Sequence, residues 1–214
     1  MTKISEIKKK INLIIELQKN GIENSEILKV MEEVDRHIFL EESLKTKSYE
    51  NIALPIDCGQ TISQPLIVAL MTQYLDVKKE MRILEIGTGS GYQTLILSKL
   101  ARFVYTVERH KLLSMKAYNL LKNLCVSNVF CKHGDGGLGW KDQAPFDRII
   151  VTACAQDIPG RLIEQLSEDG KMIVPIGDEY NDQVLKKITK KDGKLIVNDL
   201  VNVRFVPLIE GKEN

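Results

Sequence analysis

The chain has 214 residues, of which 43% are hydrophobic, a length and composition that suit one domain with a full apolar core. Thirty Lys plus Arg stand against 29 Asp plus Glu, a net charge of +1, so no chain-wide field exists to draw in DNA, RNA or an anionic membrane. Apolar runs such as 149–151 and 173–176 fall far short of the roughly 20 residues that cross a bilayer, and the charged stretch 3–10 lacks a signal peptide's apolar segment, so a cytoplasmic protein, taken as a monomer, is expected.

Ile4, Ile7, Ile11, Ile14 and Ile15 recur at helical spacing and predict a helix over 4–19, ended by Gly21. Asn24 can cap a second helix with Ile27, Val30, Met31 and Val34 on one face. The two belong to a helical N-terminal cap over 1–50. Residues 45–65 contain Pro55, Gly59 and Pro65 and show no period, so they read as a long loop before a helix at 66–75. Loops of that length in compact domains often carry function, and 51–75 is taken as the active-site loop and helix.

From residue 76 the pattern is that of a Rossmann-like core. Strands are expected at 82–86, 103–107, 128–131, 147–152 and 171–176, with helices at 91–100, 111–124 and 158–166 between them. Such alternation specifies an α/β, doubly wound parallel sheet with helices on both faces, because a parallel crossover needs a helix. Segments 183–189 and 195–205 flank Asp192-Gly193, a hairpin signal that adds antiparallel strands at the sheet edge. One domain over 1–214 accounts for all of this. Cys58, Cys125, Cys131 and Cys154 have no C-x-x-C spacing and are expected as reduced, mostly buried thiols. His37, His110 and His133 are scattered, so no metal is expected.

The first strand of the core runs directly into Gly87-Thr-Gly-Ser-Gly91 and then a helix, the context in which a glycine-rich turn binds a nucleotide. Its glycines let the backbone approach a ligand, and the helix start offers free N–H groups. Glu108 lies 21 residues beyond Gly87 at the end of the next strand, where a carboxylate can accept both hydroxyls of a ribose. Tyr92 occupies the place where a dinucleotide fingerprint requires a small residue, which ranks a nicotinamide oxidoreductase last. The spacing G-x-G-x-G instead resembles class I S-adenosyl-L-methionine methyltransferases. Asp135, between Gly134 and Gly136 after the third strand, is then assigned to adenine recognition, although Asp beside Gly is also a common turn.

Three more stretches narrow the resemblance: Gly59-Gln-Thr-Ile-Ser-Gln-Pro65, Phe146-Asp-Arg-Ile-Ile-Val-Thr152 and Val203-Arg-Phe-Val-Pro-Leu208. With 84–93 and 133–136 they resemble the protein-L-isoaspartate O-methyltransferase family from about Asp35 to Leu208. The stretch 60–65 is specific to that family. Asp57-Cys58 stands where members often carry a glycine-containing pair, and Gly136-Gly-Leu-Gly-Trp140 is a variant stretch.

The resemblance implies a seven-stranded methyltransferase sheet, S-adenosyl-L-methionine as methyl donor, and isoaspartyl-containing proteins and peptides as partners. It implies donor contacts from Gln60, Thr61, Ile62, Glu85, Gly87, Thr88, Gly89, Ser90, Gly91, Glu108, Arg109, Asp135 and Gly136. Ser63 is the implied catalytic residue, and Ser63, Thr152, Arg204 and Val206 are the implied substrate contacts.

An isoaspartyl linkage leaves its α-carboxylate free, and with an ordinary pKa of ~3.3–3.7 this group is ionised at neutral pH without a base. A site rich in Gln, Thr and Ser, aligning groups rather than moving protons, suits that chemistry. Ser63 can donate a hydrogen bond to the carboxylate, or cap the helix that begins near Pro65. Segment 203–208 can line a peptide groove, or be an edge strand ended by Pro207. The rival readings are a methyltransferase for another acceptor and a silent donor-binding module.

Overall fold

A computed structural model describes residues 3–178 and 182–213. Helices α1 (Lys3–Lys19) and α2 (Ser25–Glu33) form where the apolar spacing requires. Asn24 Oδ1 accepts from the main-chain N–H groups of Glu26 and Ile27 at 3.0 and 3.1 Å, satisfying two donors that a helix start leaves free. Two short 3-10 turns, Arg36–Phe39 and Glu42–Lys47, follow. The expected long loop contains a small hairpin: β1 (Leu54–Pro55) pairs antiparallel with β2 (Thr61–Ile62). Helix α3 (Pro65–Leu75) comes next, with Pro65 in its first turn, where a missing N–H costs nothing.

The main sheet comprises β3 (Arg82–Ile86), β4 (Phe103–Glu108), β5 (Val129–His133), β6 (Phe146–Val151), β7 (Leu166–Ile176), β8 (Gln183–Lys191) and β9 (Lys194–Val203) in the order 5-4-3-6-7-8-9. Pairing is parallel from β5 across to β7 and antiparallel for β7–β8 and β8–β9, as the hairpin signal requires. Helices α4 (Tyr92–Leu100), α5 (Lys111–Asn123) and α6 (Gly160–Glu164) fill the crossovers. Leu84, Ile86, Val107, Val151 and Val174 pack on one face of the sheet. Ile83, Val104, Ile150 and Ile173 pack on the other with Met71 and Leu97, so the central strands are apolar on both sides. Leu17, Ile27 and Met31 of the cap share a core with Val68, Tyr92 and Ile96.

Several expectations shift. Helix α6 covers 160–164 rather than 158–166, because Pro159 precedes its first turn and Leu166 is drawn into pairing with Phe146. β7 therefore begins at Leu166, with a register break before Lys171 pairs with Arg148. The cysteines are free, but they are not mostly buried: Cys58 and Cys125 are exposed and only Cys154 is fully covered. Both exposed ones sit in tight turns at φ 57°, where the chain has no interior side to present. Among the described residues no helix is long and apolar enough to cross a membrane.

The chain order fixes where a ligand can lie. Strands run outward from β3 to β4 and β5, then return to β6 on the other side of β3. The connections leaving the carboxyl ends of β3 and β6 therefore diverge and open a crevice.

Candidate active site

The turn after β3 passes through Gly87, Gly89 and Gly91 at φ 93, 53 and 88°. At Gly87 the left-handed backbone and space act together: an added Cβ would run into the Thr152 hydroxyl. That hydroxyl lies 2.7 Å from the Gly87 carbonyl and 3.0 Å from that of Ile86, to which it donates, tying the turn to the end of β6. Gly89 N–H donates to Glu108 Oε2 at 2.8 Å, and His110 N–H donates to Glu108 Oε1 at 2.9 Å. The buried Glu108 carboxylate is thus fixed in direction, and each oxygen keeps a lone pair for a further donor.

These groups wall an open cleft of about 880 Å³, solvent at its mouth included. Gln60, Thr61, Ile62 and Ser63 come from the β2 region, Gly87, Thr88, Gly89 and Ser90 from the glycine turn, and Glu108, Arg109 and His110 from the end of β4. Gly136, Thr152 and Val206 complete its other side with 207–209. Beside it runs a second groove lined by Ala53, Gln64, Ile67 and residues 202–206, Arg204 among them. Thr61, Ser63, Thr152 and Val206 line both.

Ser63 therefore stands where cleft and groove meet. Its hydroxyl takes no partner among the described residues, and the cap position of α3 belongs to Gln64, which leaves Ser63 free to serve a ligand. Thr152, by contrast, spends its proton on main-chain carbonyls and presents only lone pairs.

Three residues expected at the donor site do not line this cleft. Glu85 is fully buried beneath the turn, where its Oε2 accepts from Thr94 Oγ1 at 2.6 Å and Thr106 Oγ1 at 2.7 Å. Successive strand side chains alternate faces, and Glu85 points to the face covered by α4. Burial pushes its pKa up to about 7, against the two hydroxyl donors. Gly91 is the cap residue of α4 and faces Ala117 of α5, which an added Cβ would touch at 3.4 Å. Asp135 lines an adjacent cavity, and its carboxylate accepts from the N–H groups of Gly137 and Gly211, both at 2.8 Å.

Arg36 and His110 were not expected at the site, and His110 lines the cleft beside Arg109. Arg36 has no exposed surface, yet its guanidinium donates to the carbonyls of Ser48 at 2.9 Å, Ile52 at 2.9 Å and Ser63 at 3.1 Å. It also lies 5.8 Å from the Tyr92 ring centre. It thereby clamps the loop around Ser63 from behind. No periodicity or motif marks a lone arginine for such work.

The sequence model of protein-L-isoaspartate(D-aspartate) O-methyltransferases matches residues 8–213. The chain belongs to this family. Members with curated sequences include the protein-L-isoaspartate O-methyltransferase of Paramagnetospirillum magneticum, 50% identical over 202 residues that make up 94% of each chain. That of Dictyoglomus turgidum is 53% identical over 196 residues, covering 91% of this chain and 89% of its own.

Among solved structures, one protein-L-isoaspartate O-methyltransferase superposes with a TM-score of 0.84 at 32% identity, over 92% of this chain and 65% of the other, longer one. A second, a Plasmodium falciparum protein in complex with S-adenosyl-L-homocysteine, gives 0.81 at 31% identity, over 92% of this chain and 97% of the other. Within 59–65, Thr61 and Ser63 stand on the wall shared by cleft and groove.

Proposed function

We infer that this chain is an S-adenosyl-L-methionine-dependent protein-L-isoaspartate O-methyltransferase, acting on the free α-carboxylate of isoaspartyl residues in damaged proteins and peptides. The observation that carries this reading is the unpartnered Ser63 hydroxyl at the junction of the cleft and the groove. A donor in one and a peptide in the other would meet there. The residues present fit the donor: a turn of left-handed glycines whose main chain walls the cleft at 87–90, and a buried carboxylate at Glu108 with open lone pairs for ribose hydroxyls.

When bound, S-adenosyl-L-methionine supplies an electrophilic methyl group. The chain's own work is alignment, since the acceptor carboxylate is already ionised. Ser63 Oγ donates a hydrogen bond to one carboxylate oxygen and turns the other toward the cleft. The guanidinium of Arg36 keeps Ser63 in register by holding its carbonyl. Arg204, exposed on the groove, and the main chain at Val206 receive the peptide. Once esterified, the carboxyl carbon is open to attack by the following backbone nitrogen, which expels methanol and closes a succinimide; its hydrolysis returns some normal aspartate.

The same reading carries a monomer, folded as one methyltransferase domain and working in the cytoplasm on proteins rather than nucleic acid. It is supported by a net charge of +1 and by the core that α1 and α2 share with α3 and α4.

Incubation with methyl-labelled S-adenosyl-L-methionine and paired peptides tests it. Base-labile label should appear on the isoaspartyl peptide and not on its normal aspartyl twin; label on both, or on neither despite donor binding, overturns the reading. Ser63→Ala should lower turnover roughly 10- to 100-fold through lost alignment while donor affinity stays near that of the wild type.

A further inference from the structure

Beyond β9 the chain turns back across the cleft. Leu208 N–H donates to the Cys154 carbonyl at 2.7 Å, and Leu208 and Ile209 line the cleft wall. After Leu208 the burial falls away: residues 209–213 are all exposed, and Ile209, the one apolar side chain among them, is 47% exposed. What holds them is polar and converges on one residue.

Glu213 Oε1 pairs with Arg109 Nη1 at 2.8 Å, and Oε2 with His110 Nδ1 at 2.8 Å. Its N–H donates to the Arg109 carbonyl at 2.8 Å, and its carbonyl lies 2.7 Å from His133 Nε2. Gly211 N–H adds the bond to Asp135 Oδ2. Arg109 and His110 are themselves cleft-lining residues. One carboxylate thus fixes two side chains of the cleft and, through them, the strap 209–213 that closes its side.

We propose that Glu213 is a positioning residue of the donor cleft, the latch that keeps strap 209–213 against Arg109 and His110 and opens when the donor enters or its product leaves. The proposal rests on the donor reading given above. A segment held by exposed polar contacts, with little buried apolar area, lies at the low-stability end of a fold and opens locally without the rest. Two charge-assisted contacts to one carboxylate are therefore a large share of what keeps it shut. The carboxylate side chain is 54% exposed, so replacing it opens no buried cavity, and the Arg109 and His110 side chains that it unpairs stand on the cleft wall, where water reaches them once the strap opens.

The test is the rate at which S-adenosyl-L-homocysteine leaves the full chain, followed by chase with excess unlabelled ligand, alongside equilibrium affinity by calorimetry. Glu213→Ala should release it about tenfold faster, the equivalent of losing one good charge-assisted hydrogen bond. Glu213→Gln, which keeps the length and one acceptor, should fall between Ala and the wild type. The ligand-free melting temperature of both variants should equal that of the wild type, which a general structural lesion would not leave unmoved. Release from Glu213→Ala at the wild-type rate, with wild-type binding intact, overturns the latch alone. Wild-type protein that takes up no S-adenosyl-L-homocysteine overturns the donor reading and the latch together.

Discussion

Glu85 shows how a residue can belong to a glycine-turn motif and yet not line the cleft that the turn walls. It sits two positions before Gly87, inside the glycine signature, but its Oε2 is spent on Thr94 and Thr106 while Oε1 is buried without a partner among the described residues. Thr106 Oγ1 in turn lies 2.6 Å from Thr88 Oγ1 in the turn itself. Its part is to hold the turn from underneath. Burial raises its pKa from the ordinary 4.5 to about 7, with the Glu108 charge adding to the rise. The folded chain therefore keeps a proton that the unfolded chain releases. The stability this contributes is fully present below 4.5 and is lost as the pH rises to about 7. An uncharged Glu85→Gln side chain can accept the same two hydroxyl bonds and has no such titration. Melting temperatures measured across that window should show the variant gaining on the wild type as pH rises; parallel curves would mean that Glu85 titrates normally.

At the scale of elements, the strands of the core and its long helices were legible because burial on both faces demands continuous apolar runs, and because α1 and α2 carry apolar residues at helical spacing. The exceptions have local causes. The 3-10 turns at 36–39 and 42–47 are too short for a period to show, and β1 and β2 are two residues each. Leu166, read as the end of a helix, fits either element by type and is claimed by its partner Phe146. The hairpin between β8 and β9 was legible from Asp192-Gly193, and both residues adopt positive φ, 51 and 70°. An added Cβ at Gly193 would meet nothing within 4 Å, so Gly193→Ala has no steric cost and only the left-handed backbone to bear. It should destabilise the protein by about 1 kcal/mol, read as a lower urea midpoint with an unchanged slope. A midpoint equal to the wild type's would show that the hairpin turn relaxes freely.

For the molecule as a whole, the site is an assembly of distant segments: 60–63, 87–90, 108–110, 152 and 206–209 all reach one cleft. The glycine turn and Glu108 were legible from a chemical need at a short spacing, whereas 60–63, Thr152 and Val206 stood out only through the family resemblance. Arg36 and Glu213 stayed hidden because their roles depend on neighbours 27 and 104 positions away, at Ser63 and Arg109, and nothing local distinguishes them from surface charges. A ligand that touches every one of those segments binds only when all are in place, so its binding free energy is returned to the fold as a unit. With S-adenosyl-L-homocysteine at about 100 times its dissociation constant the gain is about 2.7 kcal/mol. For a chain of this size that corresponds to a rise in melting temperature of roughly 5–10 °C. The cap should feel it as strongly as the sheet, since α1 and α2 share a core with Tyr92 at the head of α4, and Tyr92 lines the cleft. Hydrogen exchange should accordingly slow in α2 as well as in β3 and β4 when the ligand is added. Protection confined to the strands, with α2 exchanging as before, would mean that the cap folds and unfolds independently of the site it covers.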